Sequence, residues 1–452
     1  MYDLYLILLL IFIIFLLVYA ISKVSLHPFL TLLFAGLLFG LLSGMEPSQI
    51  SNSLVEGFGS TLKSIGIVIV VGTIIGVYLE KTGGAYVIAT NLLKLFKEKN
   101  TPLVMNIMGY IVSIPVFCDS GFVILSPLNK ALTKKSGLSL SITAISLSIG
   151  LYASHTLVPP TPGPVAAAGI IGADLGLVIM LGIIVSIPVS LSGLAFANIY
   201  GKRIYIEPDL ESSNNKEDNT NNTVNTKEVS LIKSILPIAI PIILIVLKSI
   251  SEFPTKPFGE STLKECLQFI GNPSVALLTG FLFCLLIPKK ITKDMLSTEG
   301  WVGLGVKNAA IIILITAAGG AFGQILRDSS LSNVISNYLT NMNIGLLLPF
   351  LIAAALKSAQ GSSTVAIITT ASLITPLLDP LGLTSSIAKA LTVLAIGAGS
   401  MVVSHANDSY FWVVTGFSNM TVKEGYKLQT LATLISGFIG ALAILILSTI
   451  LL

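Results

Sequence analysis

The sequence predicts an all-α polytopic membrane protein built from two inverted repeats. Of its 452 residues, 53% are hydrophobic and only 11% are charged, whereas soluble domains carry about 25% charged residues. The mean hydropathy is +0.90. Apolar runs of about 20 residues, the length that a membrane span requires, recur along both halves of the chain. We expect each half to contain about five spans, with a re-entrant hairpin and a broken helix.

Eight apolar runs are expected to form full spans. Those in the first repeat, residues 1–204, cover 3–22, 27–45, 61–80 and 175–200. Those in the second repeat, residues 230–452, cover 231–250, 273–288, 302–326 and 427–452. The first run carries Asp3 as its only charge and lacks a basic segment before it, so we expect an uncleaved span rather than a signal peptide. Residues 86–96 are expected to form an interfacial helix.

Two shorter apolar segments predict re-entrant hairpins. Residues 102–133 are interrupted by Pro115 and by the polar stretch 117–121, which leaves arms of only about 15 residues. A corresponding segment, 343–376, turns at residues 357–364. In a membrane, interrupted backbone of this kind survives only where it is buried in protein or lines a watery cavity.

Two further runs, 139–172 and 385–420, are expected to be broken spans. The first contains the helix-breaking residues Pro159, Pro160, Pro162, Gly163 and Pro164. An interior proline removes a backbone donor and clashes with the preceding turn, at a cost of about 3 kcal/mol or more, so the helix must stop there. The second run is interrupted at residues 404–408, which include a histidine and an aspartate.

Several features recur in the same order in both halves and predict an internal duplication. The matching pairs are Ser154-His155 with Ser404-His405, Gly121 with Gly361, Gly72 with Gly319, and Gly76 with Gly323. Four uninterrupted spans and one broken span make five in each half. This odd number gives the second half the opposite orientation in the membrane, an arrangement common among secondary transporters. The polar segment 205–229 between the halves is expected to be a disordered cytoplasmic linker.

The basic residues agree with this topology. When both termini are placed outside the cytoplasm, 19 of the 26 lysines and arginines fall in cytoplasmic segments, six fall outside and one lies within the second hairpin. This distribution follows the positive-inside rule. The six outside residues are Lys63, Lys248, Lys256, Lys264, Arg327 and Lys389.

Five ionisable residues are expected at membrane depth, all of them at backbone interruptions: Asp119, His155, Lys357, His405 and Asp408. A charge at this depth costs about 2.5–3.5 kcal/mol on insertion scales, so each residue is a functional candidate. Asp119, His155, His405 and Asp408 are candidates for carrying a proton, because a histidine has an unperturbed pKa of about 6.5 and burial can bring a carboxylate into range. Lys357 is expected to attract an anion, or to pair with Asp119 or Asp408.

Structural explanations stand beside these roles. Asp119 and Asp408 can serve as helix caps, and each histidine can bond a carbonyl that the broken helix leaves free. Lys357 can extend towards the surface if the hairpin is shallow. Small residues around Gly361 can simply allow close helix packing.

The sequence contains few motifs that indicate an enzyme or a metal site. Residues 118–121 faintly resemble the serine motif of rhomboid-type proteases, but the leading glycine of that motif is missing. The HExxH motif is absent, and three cysteines without paired spacing predict neither a disulfide framework nor a zinc site. An intramembrane serine protease stays a remote alternative. No metal, cofactor or nucleic-acid partner is expected.

Longer motifs resemble the gluconate:proton symporter family of bacterial permeases. The resemblance is carried chiefly by residues 150–164, continuing to 176, and also by 116–122, 359–366 and 404–409. It covers essentially the whole chain apart from the linker. The proline-rich motif at 159–164 is the most specific part, whereas the turn Gly361-Ser362-Ser363-Thr364 is weak by itself.

The resemblance implies a transporter of the bacterial inner membrane, within the broader ion-transporter superfamily. Such proteins pair two subunits through scaffold helices and move a transport domain like an elevator. The family also implies proton-coupled uptake of a small hydroxylated monocarboxylate. Gluconate is the leading candidate for the substrate, while idonate, another sugar acid and D-serine stay open. Coupling to sodium instead of protons also stays open.

The substrate is expected to bind between both hairpin tips and both broken spans. Hairpin-tip amides with Ser362, Ser363 and Thr364 are expected to hold its carboxylate, and polar groups near the breaks its hydroxyls. The full set of substrate-binding candidates is Ser120, Gly121, Ser154, His155, Thr156, Gln360, Gly361, Ser362, Ser363, Thr364, His405 and Asn407.

Overall fold

A computed structural model describes residues 2–24, 26–95, 100–208, 229–252, 258–259, 261–329, 345–405 and 408–452. Every regular element within these ranges is a helix. Six of the described helices are long and apolar enough to cross a membrane, or up to eight if each of two bent helix pairs counts as one span. The predicted all-α polytopic fold is confirmed. Most of the predicted linker, residues 209–228, lies outside the described ranges.

The first half of the chain contains helices α1 to α9. They are α1 Tyr2–Ser22, α2 Pro28–Leu42, α3 Pro47–Lys81, α4 Gly84–Leu95, α5 Thr101–Val112, α6 Cys118–Ser136, α7 Leu140–Leu157, α8 Pro162–Ile171 and α9 Leu175–Ile199, followed by a 3₁₀ turn at Gly201–Arg203.

The second half contains helices α10 to α20. They are α10 Leu231–Ser251, α11 Thr262–Ile270, α12 Pro273–Cys284, α13 Lys293–Leu296, α14 Trp301–Asp328, α15 Leu347–Gln360, α16 Ser363–Ile374 with a 3₁₀ turn at Thr375–Leu377, α17 Ser386–Gly399, α18 Ser409–Phe417, α19 Val422–Gly425 and α20 Leu431–Leu451, which continues from a π turn at Tyr426–Thr430.

Two expected spans have different bounds in the structure. The span expected at 61–80 belongs to α3, which begins at Pro47 and bends by 45° between Lys63 and Gly66. Hydropathy does not mark its first turns because they are rich in serine and other polar residues, although proline favours the first helical position. The span expected at 273–288 ends at Cys284, and α11 joins it at an angle of 68°.

Helices α3 and α14 pack along each other and form a central pair, here called the scaffold pair. A side chain at Gly57 would place its Cβ 2.5 Å from the carbonyl oxygen of Gly320, so the two backbones approach more closely than larger residues allow. Helix α2 packs on α14, and α12 packs on α3. Each helix of the scaffold pair therefore packs with a further helix from the other half of the chain.

The remaining helices repeat one packing scheme in both halves. Helix α5 packs on α7 and α7 on α9, just as α15 packs on α17 and α17 on α20. Helices α9 and α20 also meet. This recurrence supports the internal duplication, while the inverted orientation of the second half stays a prediction.

Both predicted hairpins and both predicted broken spans correspond to helix pairs in the expected order along the chain, while re-entry of the hairpins into the membrane stays a prediction. Helices α5 and α6 are the arms of the first hairpin, α15 and α16 those of the second, and the broken spans are α7 with α8 and α17 with α18. The second arm of each hairpin packs against the last segment of the broken span from the other half: α6 on α18, and α16 on α8. This exchange brings the interruptions of the two halves together.

Candidate functional site

The first break, residues 158–161, separates α7 from α8. Its four-residue interruption contains Pro159 and Pro160, and Pro162 occupies the first position of α8, where a missing amide hydrogen costs nothing. The Thr161 hydroxyl donates to the Val158 carbonyl at 2.7 Å, which satisfies one backbone group that the break leaves free. The prolines in the segment itself therefore interrupt the helix at the first break.

The second break lies between Gly399, where α17 ends, and Ser409, where α18 begins, and its sequence contains no proline. Val403 has a φ of 56°, a left-handed conformation that is unfavourable for a β-branched residue. The Ser404 amide donates to the Thr433 hydroxyl at 3.0 Å, and its carbonyl accepts from the Thr430 hydroxyl at 2.6 Å. Contacts from a neighbouring helix therefore hold the second break.

A buried ion pair lies at this second break. The Lys357 ammonium is 2.6 Å from Asp408 Oδ2, and the two side chains are 0% and 5% exposed. The ammonium also donates to the Gly361 carbonyl, and the Ser404 hydroxyl donates to Asp408. Lys357 therefore does not extend to the surface. It joins the tip of the second hairpin to the broken helix.

Asp408 combines two functions. Its Oδ1 accepts from the Tyr410 amide at 3.1 Å, so the side chain caps α18, while Oδ2 pairs with Lys357. The Tyr152 ring lies beneath the Lys357 ammonium at 5.8 Å and is 5.1 Å from the Tyr410 ring. Aromatic faces attract a cation, so the lysine is held by a carboxylate, a carbonyl and an aromatic ring.

The two predicted histidines have different surroundings. His405 Nε2 is 2.9 Å from the Ser358 carbonyl, a backbone group in the last turn of α15. The His155 ring is buried 5.9 Å from the Phe117 ring, and its Nδ1 has no hydrogen-bond partner among the described residues. His405 thus links the second hairpin to the second break, whereas His155 faces the tip of the first hairpin.

Asp119 connects the first hairpin to the same region. It lies in the first turn of α6, whose N-cap residue, Phe117, makes no side-chain capping bond. The Ser409 hydroxyl donates to Asp119 Oδ1 at 3.4 Å. The structure therefore brings Asp119 to the end of α18 that Asp408 caps.

The remaining substrate-binding candidates divide into two groups. Ser154 and Thr156 are buried and donate back to carbonyls of α7, at 3.3 Å to Leu151 and 3.0 Å to Tyr152. The Thr156 hydroxyl also lies 3.7 Å from the Met401 sulfur at the second break. Gly121 is buried against Leu151.

The hairpin turn at Gly361 is the other group. Gly361 has a φ of 89°, and the exposed Ser362 caps α16 by accepting from the Val365 amide at 3.3 Å. Ser363 and Thr364 are partly exposed in the first turn of α16. The Gln360 side chain and Asn407 lie outside the described parts of the chain.

Two side chains at the site were missed in the sequence. Glu80, at the end of α3, interacts with Ser120 of the first hairpin and is partly buried. Tyr152 interacts with Ser363 of the second hairpin. A carboxylate one turn after Gly76 in an otherwise apolar run is the signal for Glu80. Tyr152 gives no comparable signal, because an aromatic residue in a buried helix is ordinary.

The arrangement suits the binding of an anion. Lys357 supplies a fixed positive charge beside the exposed turn of the second hairpin, and its carboxylate partner belongs to a different element. Among the described residues, no group of three histidine, cysteine or acidic side chains could hold a metal ion.

Comparison with known proteins identifies relatives over nearly the whole chain. The family model of the GntP family permeases matches residues 4–450. A gluconate permease of Pseudomonas aeruginosa is 34% identical, and the match covers 96% of each chain. The Gnt-II system L-idonate transporter of Escherichia coli K12 is 33% identical over 92% of this chain and 94% of its own. The D-serine transporter DsdX of Escherichia coli O6:H1 is 34% identical over 96% of each.

A solved structure shares the fold. The crystal structure of the YdaH transporter from Alcanivorax borkumensis, described as having an unusual topology, matches with a TM-score of 0.64. The match covers 94% of this chain and 99% of that chain, at 14% sequence identity.

Proposed function

Because the chain belongs to the GntP family of permeases, we propose that it takes up gluconate or a related small hydroxy-monocarboxylate together with protons. It is a multi-pass membrane permease and not an enzyme, which excludes the alternative of an intramembrane protease. Relatives named for gluconate and for L-idonate, at 33–34% identity, support a sugar acid as the substrate.

The observation that carries the proposal is the buried pair of Lys357 and Asp408. A substrate carboxylate that binds Lys357 displaces Asp408 from its only cationic partner among the described residues. A buried carboxylate without a cationic partner is costly. A proton that binds Asp408 neutralises the carboxylate and removes that cost. Binding of the anion and binding of a proton are thereby linked through one lysine.

The elements around this pair suit alternating access. Each hairpin packs with the broken helix of the other half, and the scaffold pair packs against this group of helices, α14 on α16 and α3 on α8. We propose that the hairpins and breaks move together as a transport domain, and that two subunits join through their scaffolds. Inverted repeats with a site near the bilayer midplane are common in secondary transporters. The proposed location is the bacterial inner membrane, with both termini outside the cytoplasm.

The direct experiment is uptake into proteoliposomes with a panel of labelled acids under an imposed pH gradient. Gluconate or another sugar acid is expected to accumulate when the outside is acidic, and a proton ionophore is expected to abolish the accumulation. Sodium is varied independently of pH. Accumulation that follows a sodium gradient at constant pH would show sodium coupling instead.

D-serine is the second candidate, favoured by the DsdX relative at 34% identity. Its ammonium group requires a carboxylate. Asp119 in the first hairpin, and Glu80 of α3, which interacts with Ser120 of that hairpin, are the candidates for it. Competition separates the two candidates. Unlabelled gluconate in excess suppresses uptake of a labelled sugar acid by a sugar-acid transporter, whereas unlabelled D-serine suppresses it only if the amino acid shares the site.

A further inference from the structure

A polar cavity of about 660 Å³ lies apart from the ion pair. It is bounded on one side by the scaffold pair and on the other by the helices of the hairpins and broken spans, here called the hairpin group. One wall is formed by α3 and α14 and includes Thr61 and Arg327. The other wall is formed by the end of α8 and by residues 375–389, and it includes Asp379 and Lys389. A ligand in this cavity would therefore touch both groups of helices.

The lining of this cavity is positively charged. Arg327 and Lys389 face it from opposite walls, and among the described residues that line it Asp379 is the only one with a carboxylate. In the described part of the chain neither cation forms an ion pair. Arg327 donates to the Gln324 side chain at 3.2 Å, and the adjacent Asp328 is engaged by Ser53 at 2.7 Å. Two cations in one concave site, neither paired with an anion in the described part of the chain, attract an anionic ligand.

The position of the cavity relates it to the substrate site. Helix α8 begins at the first break and ends at Ile171, which lines the cavity. Ten residues at 1.5 Å each place the cavity about 15 Å from that break. Arg327 and Lys389 are also two of the six basic residues that the topology places outside the cytoplasm. The cavity therefore opens on the predicted outer side.

We propose that this cavity is an outer anion site, which captures a small carboxylate before it reaches Lys357. This inference rests on the proposed function, since it requires an anionic substrate and the predicted orientation. The Arg327 guanidinium can hold a carboxylate through two parallel hydrogen bonds, and Lys389 adds a second charge from the opposite wall. Hydroxyls of Ser60 and Thr384, which also line the cavity, suit a hydroxylated acid.

The test compares KM for sugar-acid uptake in right-side-out and in everted vesicles. Arg327→Gln and Lys389→Gln are each expected to raise KM from the outer face by about fivefold, as removal of one well-placed charge predicts, with the maximal rate retained. KM from the inner face stays unchanged. Arg327→Lys retains the positive charge, so its outer KM is expected to stay close to that of the wild-type protein. Lys63→Gln is the matched control, because Lys63 is an exposed outer lysine that does not line the cavity.

Two results would overturn the outer anion site. One is an unchanged outer KM in both Arg327→Gln and Lys389→Gln while the wild-type protein transports normally. The other is an effect that appears only in vesicles with an anionic lipid and vanishes in pure phosphatidylcholine, because the cavity then binds a headgroup. If the wild-type protein carries no acid at all, the proposed function fails instead. Thermal unfolding of each variant confirms that it is folded.

Discussion

The two helix breaks of this transporter differ in what holds them open. The first is fixed by Pro159 and Pro160 and has no charged side chain at its interruption. The second has no proline, contains Val403 in a left-handed conformation, and depends on hydrogen bonds and the ion pair of Asp408. A break made by prolines persists whatever is bound. A break held by replaceable contacts can respond to a substrate or a proton.

This difference assigns separate duties to the two halves. The first break provides a constant interruption, beside which α8 packs on the second hairpin. The second break and the second hairpin share Lys357, so a ligand at the lysine acts on both elements at once. We therefore expect substitutions at the second break to change coupling, and substitutions at the first break to change packing.

The largest effect is expected for Lys357→Gln. This change leaves Asp408 buried without its cation, which costs about 3–5 kcal/mol when one partner of a buried pair is removed. Thermal or denaturant unfolding in detergent measures the loss of stability, and uptake is expected to be lost with it.

The control for this prediction is the double variant Lys357→Gln with Asp408→Asn. It removes both charges and is expected to recover most of the stability, but not transport, since no cation then binds the substrate. Recovery of wild-type uptake by the double variant would show that the ion pair is only structural.

A moderate effect is expected for Gly163→Val, in the first turn of α8 directly after the first break. A Cβ at Gly163 would lie 2.8 Å from the Ile367 side chain of α16. The added methyl groups overpack this contact at a cost of about 1–3 kcal/mol, and Ile367→Ala is expected to restore the lost stability. Unfolding midpoints measure both changes. A change in the proton dependence of uptake, with stability unaffected, would contradict the separate duties of the two breaks.

The smallest effect on stability is expected for Ser362→Ala. Loss of this helix cap costs about 1 kcal/mol. Combined with Ser363→Ala, it is expected to raise KM for the acid about tenfold, because a hydrogen bond to a charged group contributes about 1.5–3 kcal/mol. Ser362→Thr keeps both the hydroxyl and the cap and serves as the control. Unchanged affinity in the double variant would remove these hydroxyls from the carboxylate site.

The fold followed from the sequence where local chemistry decides it. Prolines located the first break to within a few residues. The polar stretches 117–121 and 357–364 fall where α6 begins and where α15 ends and α16 begins. Residues 47–60 of α3 were missed because a polar helix stabilised by packing on α14 has no hydropathy signal. The choice of Asp408 over Asp119 as the partner of Lys357 depends on tertiary packing between α15 and the second break. The sequence alone therefore left both pairings open.

The measurement that tests this account most directly compares accumulation with exchange in Asp408→Asn. Wild-type proteoliposomes are expected to concentrate the acid under an inward proton gradient. In the variant Lys357 keeps the Gly361 carbonyl and the Tyr152 ring as partners and can still bind the acid, so exchange of internal for external acid is expected to persist. Accumulation driven by the gradient is expected to be lost. Accumulation by Asp408→Asn equal to that of the wild-type protein would contradict the coupling of proton and anion through Lys357.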